Sequence, residues 1–384
     1  MRLSSLRVKV IGVVALCLFL AALGILTVIQ ASFASQTDRM TRDAIVQARQ
    51  AFLELEQTEI GKLSAVLEAI LTSDAYAGSY TDSHRQELYA NAKPLFERLR
   101  TQYQFTLWQY NNRERQGTVY LRIHNPTQFG DPLERSMYER CVRTKQLVAG
   151  KELGHSGFAL RVMMPQRDRQ GQILGYVEVG EQIGHFFGRM QTQTGNQYGL
   201  ALKKALLQPD KWADFRKSRG ERDNWNDLDT IVAADRTLED NRLMDIHLDI
   251  DSLPPDGEAL GQTSIGSNKY VRGVFPIFSV DGQRSGAIFV AKDMTRSFAD
   301  LRALEIKVIV MIVGVVVLIS VVVGFMLNSF VFRRLDNMIE VATRVVGGDY
   351  ECEIRKSADD EIGDFEHLFD QFRKVFLRVV KAHS

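Results

Sequence analysis

Cysteine is scarce in this chain: three residues in 384, at positions 17, 141 and 352. With no CxxC pair and no even set at close spacing, a disulfide framework and thioredoxin-type redox chemistry are both excluded. An excess of one charge is missing too, since 48 Lys and Arg face 47 Asp and Glu for a net +1. No basic run carries interleaved aromatics, so no nucleic-acid partner is expected. HExxH, GxSxG and the P-loop are absent, which removes the commonest signatures of metallopeptidases, serine hydrolases and nucleotide-binding enzymes. His124, His155, His185 and His247 are scattered without ligand spacing and read as surface or pocket histidines, so neither metal nor cofactor is expected. Ser156 beside His155 is the nearest thing to a nucleophile and its base, and adjacency in sequence does not make that pair.

Long apolar runs are what the chain does have. Val308–Phe332 is 25 residues without a charge. At ~1.5 Å per residue it covers ~38 Å, enough to cross a bilayer with some tilt. A second run, Val10–Ile29, follows Arg2, Arg7 and Lys9. A cleaved signal peptide is its rival reading, with Ser32-Phe33-Ala34 as the cleavage site. Such a peptide has an apolar core of ~7–15 residues; this run has 20, so an uncleaved anchor is expected. Basic residues before the first span and after the second (Arg333, Arg334) put both ends in the cytoplasm. Residues 1–9 are then a cytoplasmic N-terminus, 10–35 and 306–332 the two transmembrane helices, and the part between them lies outside.

Between the spans, Ile60, Leu63, Leu67 and Ile70 recur at helical spacing and predict a stalk helix over Thr37–Ser73. A shorter helix is expected near Arg85–Thr101. Strands are expected at Phe105–Tyr110, Thr118–His124, Phe158–Met164 and Ile173–Gly180, and again at Tyr198–Lys203, Asp229–Ala233, Tyr270–Pro276 and Ala287–Lys292; Lys211–Asp227 reads as helix plus loop. The two sets are related. Arg161-Val-Met-Met-Pro165, Gly171-Gln172 and Gly175 reappear as Arg272-Gly-Val-Phe-Pro276, Gly282-Gln283 and Gly286. The constant offset marks a strand–turn–strand unit used twice. This divides the exterior into 36–195, stalk and membrane-distal module, and 196–305, membrane-proximal module.

Strand alternation puts Tyr120, Arg122 and His124 on one face and Leu121 and Ile123 on the other. Arg161 opposes Leu160 and Val162, and Glu178 opposes Val177 and Val179. One sheet face is aliphatic and suited to the stalk helix. The other carries Arg, His, Arg and Glu, as a solvated ion-pair lattice or as a covered ligand pocket.

Leu121-Arg-Ile-His-Asn-Pro126, Gly130-Asp131, Arg135, Gly150-Lys-Glu152-Leu-Gly154, Gly157, Arg161, Pro165, Gly175 and Glu178 follow one another in order. This stretch resembles the membrane-distal half of a double Cache domain, the extracytoplasmic sensor of bacterial chemoreceptors, histidine kinases and cyclases. The resemblance covers about residues 40–300 and is most specific over 120–180. It implies an α+β fold, two tandem PAS-like antiparallel-sheet modules on a long N-terminal helix, with a small molecule bound usually in the distal one. Arg122, His124, Asp131, Glu152, Arg161 and Glu178 are the candidate ligand residues. Two arginines share the face with one acid, so an external carboxylate is a candidate partner, with Glu178 meeting an amino or hydroxyl group. The alternative is that Asp131 and Glu152 complete the pairing.

After the second span, Leu335, Ile339, Ala342 and Val346 run at 4-3-4 spacing, Gly348-Asp349 breaks the pattern, and Asp360-Glu361-Ile362-Gly363 opens a second helix. There Ile362, Phe365, Phe369, Phe372, Phe376 and Val379 form a heptad seam that needs a partner helix. This segment, 333–384, resembles a cytoplasmic HAMP relay, which implies a helical hairpin completing a four-helix bundle in a homodimer. Two positions depart from the family: Arg334 stands where a proline is usual, and Asp370-Gln371-Phe372 replaces Asn-x-Met. Gly347-Gly348-Asp349-Tyr350 shares three letters with a diguanylate cyclase signature, but ~50 residues leave no room for that domain, and His383 lacks the context of a phosphoacceptor. The expectation is a non-enzymatic, two-pass homodimeric receptor of the bacterial inner membrane, sensing a small extracytoplasmic ligand. It would drive a kinase, cyclase or chemotaxis module that is either a separate partner or an output domain cut from the end of this chain. The rival is a ligand-free membrane adaptor, favoured if Arg122, Arg161 and Glu178 pair internally and leave no volume.

Overall fold

The long N-terminal helix carries an apolar stripe that packs against both halves of the segment between the two apolar runs. The computed structural model describes residues 6–77, 80–113, 117–154, 157–244, 249–349, 351–355 and 357–383; His155, Ser156, His247 and Tyr350 lie outside them. The chain divides into two compact units, Ser35–Phe298 on the one hand and Met1–Ala34 with Ala299–Ser384 on the other. Helix α1 is continuous from Leu6 to Thr72. In the first unit it buries Ile45, Ala48, Phe52, Leu55, Leu63, Leu67 and Ile70, residues three, four or eight apart that lie on one face. Helix α2 (Arg85–Tyr103) adds Leu88, Ala92, Phe96 and Leu99.

These helices cover two sheets of five antiparallel strands. The first contains β1 (Leu107–Asn112), β2 (Val119–Arg122), β3 (Val148–Gly154), β4 (Gly157–Arg167) and β5 (Ile173–Gln182), in the order β2-β1-β5-β4-β3. Helix α3 (Ser136–Thr144) packs on it, and α4 (Gly184–Thr194) leads out of it. The second contains β6 (Gln197–Lys203), β7 (Ile231–Arg236), β8 (Glu258–Ile265), β9 (Asn268–Phe278) and β10 (Arg284–Asp293), in the order β7-β6-β10-β9-β8, with α5 (Pro209–Ser218) between β6 and β7. The order is the same, and so is the register. Pro165 faces Tyr176 and Gln166 faces Gly175, and 111 residues on Pro276 faces Ala287 and Ile277 faces Gly286. Even the irregularity before each turn recurs, Arg167 opposite Ile173 and Phe278 opposite Arg284.

The aliphatic faces of both sheets share one core with α1 and α2. Leu160, Val162, Val177 and Val179 from the first sheet and Leu200, Phe275, Ile288 and Val290 from the second belong to it. Phe52 bridges them, its ring centroid 6.0 Å from Phe186 of α4 and 6.5 Å from Phe275 of β9. Truncating such a Phe costs ~3–5 kcal/mol.

In the other unit, α6 (Thr295–Met326) passes through a π-helical segment, Leu327–Phe332, into α7 (Arg333–Val346), and α8 (Glu361–His383) follows the connector. Two helical stretches, Val8–Thr72 and Thr295–Val346, are long and apolar enough to cross a membrane. Arg334 donates to Asp360 at 2.6 Å and to Glu366 at 3.2–3.3 Å, and so ties the start of α7 to the start of α8.

Candidate functional site

The polar face of the first sheet is buried, not solvated. Helix α3 lies over it and packs Met137, Tyr138 and Cys141 against Val119, Val148, Met163 and Tyr176. Among these apolar contacts sits a charged cluster. Glu178, fully buried, accepts hydrogen bonds from Arg161 Nη1 at 2.6 Å and Gln109 Nε2 at 2.7 Å, and Arg135 Nη1 lies 3.7 Å away. Glu152, also buried, accepts the Met137 backbone N–H at 3.1 Å near the start of α3. Burial raises the Glu152 carboxyl above its ordinary range, against the pull of Arg161. Arg161 and then burial depress Arg135; a guanidinium nonetheless stays charged.

Among the described residues, five side-chain atoms here are buried without a hydrogen-bond partner: Gln109 Oε1, Asn111 Nδ2, Arg135 Nη1, Glu152 Oε2 and Arg161 Nε. Each such atom costs ~1–3 kcal/mol if nothing meets it, so five on one face call for an explanation. On the outside of Arg135 is a groove between the two modules. One part, of about 190 Å³, lies among Arg135, Gly154, Leu207, Lys211 and Trp212. It adjoins a wider cleft of about 830 Å³ rimmed by Arg122, Asp131, Arg135, Lys211 and Asp214.

Residues 29–298 match the family described as the double sensory domain of two-component sensor kinases. The chain belongs to that family. Solved structures with a similar arrangement include three sensor domains. The ligand-binding domain of a Campylobacter jejuni chemoreceptor, in complex with L-valine, is 10% identical, with TM-score 0.38 over 71% of this chain and 96% of that one. The periplasmic domain of Vibrio cholerae LuxQ is 10% identical, TM-score 0.34, over 67% and 99%. The sensor domain of the V. cholerae histidine kinase DctB is 13% identical, TM-score 0.32, over 64% and 98%. A comparison with curated proteins finds no match.

Within this double sensory domain the candidate residues separate. Arg161, Glu178 and Glu152 share the buried face. Arg122 turns to the rim, where it forms a two-pronged pair with Asp131 at 2.6 and 2.7 Å and donates to the Gln128 carbonyl at 2.9 Å. That pair holds the Asp131 carboxyl below its ordinary range. His124 does not join the cluster: it is exposed, and its Nδ1 lies 3.2 Å from the Trp108 carbonyl. Tyr120 does not share the face of Arg122 either. Gln109 faces Arg122 while Asn111 faces Val119, so Tyr120 is the extra residue of a bulge. A bulge resets the alternation, and Tyr120 joins the helix-side core, with its hydroxyl donating to the Thr81 carbonyl.

Sequence reasoning passed over three features. Arg135 was seen only as part of a resemblance, because a loop residue has no alternation to reveal its direction. Strands β3 and β8, VAGKELG and EALGQTSI, are edge strands whose small and polar residues hide the pattern. Glu59 is buried in the apolar stripe of α1, midway between Leu55 and Leu63, and an acid at such a position is itself a signal.

In residues 333–384, Leu335, Ile362 and Phe369 are half-buried, whereas Ile339, Phe365, Phe372 and Phe376 are exposed within one chain. The side chains of α8 that are buried, among the described residues, are polar: Glu366, Asp370 and Arg373.

Proposed function

We propose that the chain is a two-pass receptor of the bacterial inner membrane that binds a small extracytoplasmic carboxylate in its distal module. The observation that carries this reading is the set of five buried polar atoms without a hydrogen-bond partner among the described residues, one of them on Arg135, which lines the groove. They comprise three donors on Asn111, Arg135 and Arg161, and two acceptors on Gln109 and Glu152. A ligand bearing a carboxylate together with an amine or hydroxyl answers both kinds. Arg135 takes the carboxylate, since Arg122 is paired through both prongs with Asp131 and Arg161 already gives its Nη1 to Glu178, with its Nε left to assist. Glu152, with one oxygen to spare, takes the amine or hydroxyl in place of Glu178.

Occupancy would act on α3, because the Met137 N–H at its start is held by Glu152. A ligand changes output only through its differential affinity for two states, and the bistable element is the homodimeric HAMP bundle of α7 and α8. A second copy would cover Phe365, Phe372 and Phe376, which one chain leaves exposed. A kinase, cyclase or chemotaxis module would read the outcome.

The test is a thermal-shift screen of the full chain in detergent with amino acids and small mono- and dicarboxylates. A binder raises the melting temperature with the logarithm of its concentration, and Arg135→Ala should weaken binding at least tenfold while the chain stays folded. The second reading, a ligand-free adaptor, is favoured by the internal pairs Arg122–Asp131 and Arg161–Glu178. It predicts no shift with any compound and a lower melting temperature for Arg135→Ala.

A further inference from the structure

A second cluster of ionisable groups lies where three elements meet on the helix-facing side, away from the groove. Glu59 comes from α1, Glu181 from the end of β5 and His185 from the start of α4. One ligand atom from each falls within 4.8 Å of the others. Glu59 and Glu181 are buried, Glu181 completely, and Glu181 Oε1 has no hydrogen-bond partner among the described residues. His185 Nδ1 lies 2.9 Å from the Gln182 carbonyl. A carbonyl only accepts, so Nδ1 carries the proton and the Nε2 lone pair of the neutral ring is left for a ligand. That Nε2 is 3.9 Å from Glu181 Oε2. A tetrahedral ion with bonds of ~2.0–2.1 Å holds its ligand atoms ~3.3–3.4 Å apart, so this edge must close by about half an ångström and the edges to Glu59, which lie within 4.8 Å, by up to about 1.5 Å.

Two cations already serve the cluster. Arg189 donates to Glu59 Oε1 at 2.5 Å, and the Lys62 ammonium bridges Glu59 and Glu181, 3.0 Å from Glu181 Oε2. They are not equivalent. Arg189 holds the far oxygen of Glu59, while Lys62 sits between the two acids, where an ion would sit. The Lys62 side chain is 27% exposed and its ammonium also donates to the Tyr103 carbonyl at 3.1 Å, so it can leave the acids and keep a partner.

We propose that Glu59, Glu181 and His185 are a three-ligand site for a first-row divalent cation of the zinc type, for which Lys62 is the built-in competitor. One imidazole and two carboxylates suit such an ion, and three protein ligands leave a position for water or a further ligand. Two carboxylates balance its charge once Lys62 has withdrawn. The bound ion would join α1, β5 and α4 more rigidly than the ammonium does.

Isothermal titration of the untagged full chain in detergent with zinc chloride tests this. One ion per chain is expected. His185→Ala, at a partly exposed position, should lower the affinity at least tenfold, and X-ray absorption at the zinc edge should show nitrogen and oxygen but no sulfur. In Lys62→Ala, zinc should bind several-fold more tightly and raise the melting temperature more than in the parent. The proposal falls if no saturable binding is seen, if His185→Ala binds zinc as well as the parent, or if Lys62→Ala binds it more weakly.

Discussion

The two sheets have the same strand order and register, and opposite interiors. Across the distal sheet, Gln109, Glu178 and Met163 stand side by side; in the same row of the proximal sheet stand Gly199, Phe289 and Val274. One row on, Asn111 and Tyr176 correspond to Ala201 and Ala287. Arg161 lies buried against Glu178, whereas Arg272, its equivalent, reaches out to the Arg242 carbonyl at 2.6 Å. The proximal face is a dry core of Ala201, Leu243, Met244, Val274 and Phe289. The same backbone therefore supports a polar, incompletely satisfied interior in one module and an apolar one in the other. The first leaves buried polar atoms without partners among the described residues, and the second is an apolar interior, which when close-packed deforms little.

The repeated turns differ in the same sense. The distal turn at Asp168–Gln172 ends in solvent, with Arg169 exposed. The proximal one carries Val280 at the equivalent place and docks on the distal module. The Val280 N–H donates to the Lys151 carbonyl at 2.8 Å, Arg140 donates to the Val280 carbonyl at 3.2 Å, and Ser136 donates to Asp281 at 3.1 Å. Val280 also packs against the cluster under α3.

The largest test of this contrast puts an apolar residue on the polar side. Glu178→Leu strands Arg161 beside Arg135 and should cost ~3–5 kcal/mol in thermal or chemical unfolding. Phe289→Leu, in the matching position, should cost only ~1–1.5 kcal/mol. Adding Arg161→Leu to Glu178→Leu should recover much of the loss, and equal costs at the two positions would break the comparison. Exchanging the turn residues sharpens it. Val280→Arg should cost ~1–3 kcal/mol and loosen proteolytic protection of the 279–283 turn, while Arg169→Val should stay within ~0.5 kcal/mol. Where the turns are alike, the effects should be alike. Gly171 and Gly282 have φ of 80° and 84° with open space around their Cα atoms, so alanine at either should cost ~1–2 kcal/mol through backbone strain alone.

The smallest effect is the pH dependence of Glu152, opposite which the proximal sheet has Thr263. Its folded pKa is raised, so the fold binds that proton more tightly than the unfolded chain does. The stability tied to it grows as pH falls through the folded value and is complete below the unfolded value of about 4.5. Melting curves of the parent and Glu152→Gln should therefore converge on acidification from neutral pH. A constant difference between them would mean that Glu152 is not strained by burial.

Much of this was readable in the chain itself. The two apolar runs, the stripe of α1, eight of the ten strands and the 111-residue repeat follow from periods of 3.6 and 2 and from turn glycines, which act over a few residues. The aliphatic and polar faces of β4 and β5 were legible for the same reason. What needed the tertiary structure is which charges meet. Arg122 finds Asp131 and Arg161 finds Glu178, so that Arg135, on a loop, is left facing the groove. The bulge at Tyr120 exists only because β1 and β2 pair with one extra residue. Glu59, Glu181 and His185 converge because α1 crosses the end of β5 and the start of α4. Local pattern determines which face a side chain takes on a regular element, whereas the partner of a buried charge is chosen by desolvation among groups on different elements, 9 residues apart for Arg122 and Asp131 and 119 for Lys62 and Glu181.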